Sequence, residues 1–393
     1  MKIIVLFLSF CSTIYVSIYR SDGMSDIKKH FSKLDENFVT DFDSYLKLIP
    51  TCKQLSSCDI KIIYKALYKA SLLHKNMKRK SGEDYITHPI AVSSLLANYG
   101  LDAFTLTAAL LHDTVEDTAY TLEECEKEFG YKIASLVDDV TKVGKDVNLK
   151  THEKIIESVN NDVRAIAIKS ADRLHNMYTL DFMSPLKQIE IATETKNFYV
   201  PIAKILGIYK LKDELQDLCL YYLNYEEFLK FEKKRNKYKI KYKNACDLFA
   251  TKAQEELSLL GIGMHYNYRI KNIGALYEES LKNKNIDDLV AIKMVLKKQI
   301  DCYQALGICH KIGNPKIGMM RDYISSPKDN GYKSLNTNID FKGSNIQVRI
   351  RTEDMQKTND LGVFADLDYD KKEKVNIKMK NSLKKLERNE KSD

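Results

Sequence analysis

The chain has few prolines, no pair of cysteines at CxxC spacing and no internal repeat. Six prolines in 393 residues leave long stretches in which nothing interrupts a helix. Eight cysteines are scattered without the spacing of a zinc finger, which excludes a thiolate metal site and a small disulfide scaffold. They read as reduced, mostly buried thiols in a cytosol-like compartment. Without a repeat the chain is no solenoid or propeller. With 44% apolar residues, wholesale disorder is excluded as well.

What is present is enough chain for two or three domains and a formal charge of +8, unevenly placed. Much of the excess lies in "KFEKKRNKYKIKYK" and in the C-terminal "DKKEKVNIKMKNSLKKLERNEKSD". Such a diffuse lysine excess suits anionic partners, nucleotides or RNA among them, or simply solvated helix faces. The first twenty residues, "MKIIVLFLSFCSTIYVSIYR", are mostly apolar and end on Arg20. They read either as a signal or anchor segment or as a misassigned start ahead of Met24. Cytoplasmic placement is the expectation, with that segment leaving tethering or export open.

Helical periodicity runs from residue 26 to 225, in "DIKIIYKALYKASLLHKNM", "HPIAVSSLLANYG" and "VRAIAIKSADRLHNMYTL". Gly100, Gly130 and Gly207 fall where these helices would end. Residues 226–258 predict one long Lys/Glu-rich helix linking two bodies. Beyond it the pattern changes. "LVAIKMVL" is a short β-branched run, and "NIQVRIRT" alternates Ile346, Val348 and Ile350 with Gln347, Arg349 and Arg351, as a strand with one buried face does. The expected fold is α+β and multidomain: a hydrophobic extension over 1–25, an all-α domain over 26–225, the helical linker, a mixed α/β domain over 259–370 and a basic tail over 371–393.

One constellation lies in the helical domain. In "LLHDTVEDT", His112, Asp113, Glu116 and Asp117 stand three and four apart, on one broad face if the helix is continuous. Acidic pairs at that spacing repel unless a cation or solvent satisfies them, so a metal site and a solvated helix end are both open. His88 in "YITHPI" and Asp172, Asn176 and Thr179 in "SADRLHNMYTL" add imidazole and carboxylate from two further helices. That donor set points to Mn, Fe or Zn and away from a structural thiolate site.

His88, the His112–Asp113 pair and Asp172 resemble the signature of HD-domain phosphohydrolases. With "RKSGEDYITHPI", "LLHDTVEDT", "VTKVGK" and "ADRLHNM", residues 50–370 resemble the RelA/SpoT homologues, which make and degrade the guanosine alarmones ppGpp and pppGpp. The resemblance implies an HD-type phosphohydrolase domain followed by a nucleotidyltransferase-like synthetase domain. It assigns His88, His112, Asp113 and Asp172 to Mn²⁺, and Glu116 and Asp117 to the attacking water. Arg79, Lys80, Ser81, Tyr85, Asn176 and Thr179 fall in the substrate pocket. His175 reads as a structural histidine, and His74 and His152 as surface positions. Two departures stand out: a shortened segment after His152, and Tyr178 where an Arg is usual.

The second constellation resembles the family's synthetase, in "DDLVAIK", "RDYISSPKDNGYKSL" and "IQVRIRTEDM". Asp288 matches its Mg²⁺ ligand, Lys328, Asn330 and Tyr332 its nucleotide contacts, with Tyr332 in place to stack on guanine, and Arg269 and Lys271 its ATP region. The transfer needs a second carboxylate to hold the ion and to take the proton of the attacking hydroxyl. Gln347 stands where the family has Glu, and Arg349 where it has Gln. Asn336, Ala275 and Glu279 depart too, and "EYGVAAHW" has become "NDLGVFADLD".

The expectation is therefore Mn²⁺-dependent removal of the 3′-pyrophosphate of ppGpp or pppGpp beside an inactive synthetase-like domain. Mg²⁺ enters only if that second site still holds nucleotide. The alternatives are a non-catalytic guanine-nucleotide sensor and a bifunctional synthetase/hydrolase. No DNA partner is expected, nor the ribosome-sensing C-terminal domains of longer relatives, and the oligomeric state is left open.

Overall fold

A computed structural model describes residues 39–52, 54–141, 162–282 and 288–365. The expected N-terminal extension, His152 with its shortened segment, and the basic tail lie outside them. Among the described residues no helix is long and apolar enough to cross a membrane. The chain forms two compact units that part between Thr193 and Glu194.

The first unit is helical. Helix α1 spans Phe42–Leu48 and α2 Ser57–Leu73, the latter opened by a reciprocal cap between Ser56 and Asp59. Helices α3 (Thr87–Asn98) and α4 (Ala103–Leu111) are almost wholly buried, as helices apolar on every side must be. They pack on each other, with α2 against α4. A one-turn helix α5 (Thr114–Asp117) follows, then α6 (Leu122–Phe129) and α7 (Tyr131–Val140), which share Gly130 at φ 86°. Helix α8 (Arg164–Tyr178) packs on α3, and α9 spans Pro185–Glu194.

The second unit begins earlier than the sequence pattern suggests. Helices α10 (Val200–Ile205) and α11 (Tyr209–Leu223) belong with the sheet rather than with the preceding helices. The reason lies in α11: Asp217 accepts hydrogen bonds from Gly274 N at 2.7 Å and from Asn272 Nδ2 at 2.8 Å, across to the sheet region. Helix α12 (Tyr225–Leu259) is the expected long helix, yet not a free linker. Its second half buries Cys246, Phe249, Ala253 and Leu257 in the core of this unit.

That core lies under one face of a mixed sheet. The strands are β1 (His265–Ile270), β2 (Val290–Leu296), β3 (Asn314–Pro315), β4 (Arg321–Asp322), β5 (Leu335–Phe341) and β6 (Ser344–Thr352). The order is β1-β2-β6-β5-β3, with β4 also on β5. Among the described residues, only β2 and β6 run parallel. Ile346, Val348 and Ile350 are buried as the alternation predicts, against α12 and α14 (Gln299–Ile312). Helix α13 (Ile273–Leu281) follows β1, and α15 (Glu353–Leu361) follows β6.

Candidate active site

The site of the first unit starts at a break between helices. The His112–Asp113 pair does not continue a helix, as the spacing suggested, but occupies a two-residue turn between α4 and α5. Thr114 Oγ1 donates to Leu111 O at 2.6 Å and helps to fix that turn. His112 Nδ1 lies 2.8 Å from Ala109 O. That contact makes Nδ1 the protonated nitrogen and turns Nε2 inward with its lone pair. Nε2 is buried without a hydrogen-bond partner, although Asp113 Oδ1 is 3.1 Å away.

His88, in the first turn of α3, faces the same point. Its Nε2 is 3.2 Å from Asp172 Oδ1 and 3.5 Å from Asp113 Oδ2. One donor atom each from His88, His112 and Asp172 lies within 4.8 Å of the others. Two imidazoles and a carboxylate at that separation, with one imidazole nitrogen orphaned, fit a divalent first-row cation. Asp113 stands beside this trio and supplies a second carboxylate. Burial raises the Asp113 pKa, but His112 and His88 outweigh it and hold the group below its usual value. At Asp172 burial acts the same way, and its hydrogen bond with His88, together with the charge of Lys169, carries the pKa well below normal. Burial lowers the pKa of His88, so a neutral, ligating imidazole is favoured.

A short hairpin carries the rest. Lys78 and Asp84 form an antiparallel bridge, and Gly82, at φ 88°, lets the chain turn beneath Arg79. Arg79 Nη2 donates to Asn176 Oδ1 at 2.9 Å and to Thr179 Oγ1 at 3.4 Å. Asn176 Nδ2 in turn donates to Asp172 Oδ1 at 2.6 Å. Tyr85 Oη contacts Asp113 Oδ2 at 2.8 Å and Asp117 Oδ2 at 2.7 Å, so one phenol joins two carboxylates. Burial, then the Asp113 charge, push the Tyr85 pKa far up, so the phenol stays a donor. Glu116 is half-buried and Asp117 exposed on α5, Lys80 is exposed, and Ser81 Oγ meets Glu83 Oε2 at 3.3 Å. Arg79, Tyr85, Asn176 and Thr179 thus form one network with the trio, while Lys80 and Ser81 stand at its rim.

Two histidines add what the sequence reading undervalued. His74 is 3% exposed, not a surface residue, and stacks on Tyr85 with ring centroids 4.6 Å apart. It extends the buried stripe of Ile63, Ala66, Leu67 and Ala70 by one more helical step, a periodic signal masked by its polar neighbours. His175, read as structural, is buried and its Nδ1 lies 2.8 Å from His88 Nδ1. Burial and the neighbouring His88 hold its pKa well down.

The second constellation is closed on itself. Lys271 Nζ donates to both Asp288 Oδ1 and Glu279 Oε1, the latter contact very short. Arg349 Nη2 is 3.8 Å from Asp288 Oδ2, and Arg349 Nε donates to Gln347 Oε1 at 2.6 Å. Tyr332 is only 8% exposed, with Lys328 Nζ 5.0 Å and Arg351 Cζ 5.4 Å from its ring centroid. A guanine could not stack there without displacing a cation.

Residues 66–209 match the family model described as the HD domain, and residues 251–374 the region found in RelA / SpoT proteins. The chain is 39% identical over 337 residues to a guanosine-3′,5′-bis(diphosphate) 3′-pyrophosphohydrolase of Borreliella burgdorferi, covering 81% of this chain and 49% of that protein. It is 37% identical over 311 residues to the protein of the same name from Haemophilus influenzae, covering 75% and 46%. It is also 38% identical over 331 residues to a GTP pyrophosphokinase of Myxococcus xanthus, covering 79% and 43%. The chain thus spans about half, or less, of the length of these relatives, whose names divide between two opposite activities.

Proposed function

The chain belongs to the RelA/SpoT homologue family, and on that premise we propose that it hydrolyses the 3′-pyrophosphate of ppGpp and pppGpp at its helical unit and does not synthesise them. The observation that carries this reading is the contrast between the two sites. His88, His112 and Asp172 converge with a buried, unpartnered imidazole nitrogen. Asp288 is instead engaged by the chain's own lysine and arginine.

His88, His112, Asp113 and Asp172 would hold the ion, with Mn²⁺ suited to mixed imidazole and carboxylate donors. When bound, such an ion supplies Lewis-acid polarisation of water and of phosphate oxygen. The chain's own residues do the rest. Asp117, held by Tyr85, and Glu116 orient a water and take its proton as its oxygen joins the phosphorus on the ribose 3′-oxygen. That phosphorus–oxygen bond breaks, the ribose oxygen gains a proton, and GDP or GTP leaves with pyrophosphate. Arg79 supplies the planar cation for phosphate and orients Asn176 and Thr179, with Lys80 and Ser81 at the entrance. Histidine at 175 fixes the face that His88 presents.

The test is release of pyrophosphate from labelled ppGpp by the purified protein with Mn²⁺ present. Turnover should fall at least about a thousandfold in Asp113→Ala, as expected when a ligand and a charge are removed together. Tight ppGpp binding without any release would sink the hydrolase reading and favour a sensor.

A further inference from the structure

The face of the sheet turned away from its core is lined with cations in register. Lys293 on β2 pairs directly with Arg349 on β6, which faces Asn336 on β5, while Asn267 on β1 stands across from Lys293. Arg269 and Gln347 flank Ala291 one rung away, and Arg351 lies two residues beyond Arg349. Side chains two apart on a strand share a face, so Arg269, Lys293, Arg349 and Arg351 stand together.

A divalent cation does not fit this face. Its one carboxylate of the expected kind, Asp288, is bonded to Lys271 and lies 3.8 Å from Arg349. The other donor position is an amide, and Gln347 Oε1 already accepts from Arg349 at 2.6 Å. A metal ion would meet a guanidinium at the place where it needs anions.

The cations are only partly balanced from within: Arg269 Nη1 meets Asp213 Oδ2 at 3.0 Å, and Arg349 Nη2 is 3.8 Å from Asp288 Oδ2. Among the described residues, Lys293 and Arg351 have no carboxylate at salt-bridge distance, and the exposed Asp360 acts on both only at longer range. Arg351 is 2% exposed; its Nη2 donates to Tyr332 Oη at 3.2 Å, while its Nε has no hydrogen-bond partner. Burial, then Arg269, brings the Arg349 pKa down to about 10, and burial lowers Lys293 and Arg351 as well. A buried guanidinium with no carboxylate beside it is costly, and an anion that accepts in its plane relieves the cost.

We infer that this sheet face has exchanged its divalent-cation site for a metal-independent site for phosphoanions, built on Lys293, Arg349 and Arg351 with Asn336 beside them. Recognition runs through the phosphates and not through a base, because both Lys328 and Arg351 already lie over the buried ring of Tyr332. The ligand is a di- or triphosphate group, either free or as the tail of a nucleoside polyphosphate. The inference rests on the second unit alone and stands or falls apart from the hydrolase reading.

Calorimetric titration of the whole protein with inorganic pyrophosphate, in chelator and again with Mg²⁺, tests it. Binding should persist in chelator, where the helical unit holds no ion. It should weaken about tenfold or more in Arg349→Gln and in Lys293→Met, the effect of losing one charge-assisted hydrogen bond. GTP titrated in the same chelated buffer separates the sources: tighter binding than pyrophosphate identifies the nucleoside polyphosphate, and weaker binding the free anion. If Arg349→Gln does not fold, as judged by circular dichroism, Lys293→Met carries the test. Binding that requires Mg²⁺, or that is unchanged in the folded variants, overturns the inference.

Discussion

Single side chains decide how the first site is set up. His175 touches none of the expected reacting atoms, yet its 2.8 Å contact fixes which nitrogen His88 turns inward. His175→Leu should lower the apparent Mn²⁺ affinity about 10–100-fold, read by titrating activity against the ion, with kcat at saturating Mn²⁺ changed less. Tyr85→Phe removes the phenol that joins Asp113 and Asp117. It should cut kcat about tenfold while Mn²⁺ affinity falls less, since one hydrogen bond to a charged group is worth about 1.5–3 kcal/mol. The residue types in "LLHDTVEDT" and "ADRLHNM" that converge with His88 were legible in the sequence. The turn at His112–Asp113 was not, because helical spacing alone does not register a two-residue break that a threonine side chain fixes. His74 was missed because Lys75 and Asn76 beside it read as a surface, although its place on the α2 stripe was in the sequence all along.

At the scale of elements, Asp217 joins α11 to the start of α13. Burial raises its pKa from 3.8 to about 6, with the Gly274 and Asn272 hydrogen bonds opposing that rise. The folded state therefore binds this proton more tightly than the unfolded chain. Its contribution is fully present below about 3.8 and is lost as pH rises through about 6. Asp217→Asn keeps an acceptor for Gly274 N and removes the titration. Denaturant unfolding should show the wild type losing about 3 kcal/mol relative to the variant between acid and neutral pH, and parallel curves would exclude this assignment. Strand β6 was legible because alternation survives a cation-lined face as well as a solvated one, and β2 because of its short β-branched run. The role of α12 was hidden because its lysine-rich first half dominates its composition, while the buried Cys246, Phe249, Ala253 and Leu257 are spread thinly over its second half.

For the whole molecule, the proposed reading gives the two sites different fates. Supplied with ATP and GDP, the protein should make no ppGpp, and Gln347→Glu alone should not restore synthesis. Arg349 and Lys271 would still neutralise Asp288, and detectable product from that single variant would contradict the reading of the sheet face. The boundary between the units was the least legible feature, since α10 and α11 carry the same helical periodicity as the helices before them. Their allegiance comes from contacts remote in sequence. Gly362, at φ 57°, packs its Cα against Gly207, and a side-chain carbon there would lie 2.1 Å from Leu206 O. Gly362→Ala should destabilise the protein by about 2–4 kcal/mol in thermal or denaturant unfolding.

The same glycine contact has a kinetic side. Chains are made from the amino terminus and domains commonly fold in that order. The helices up to Thr193 have their partners early, within one stretch of synthesis. The turn at Gly207 does not, since the glycine that seats it is among the last described residues to emerge. Closing so long a loop is slow, so the turn between α10 and α11 stays unseated after α11 has met Asn272 and Gly274, until the far end of the sheet unit arrives. For that interval the turn stays open to a chaperone or a protease during synthesis.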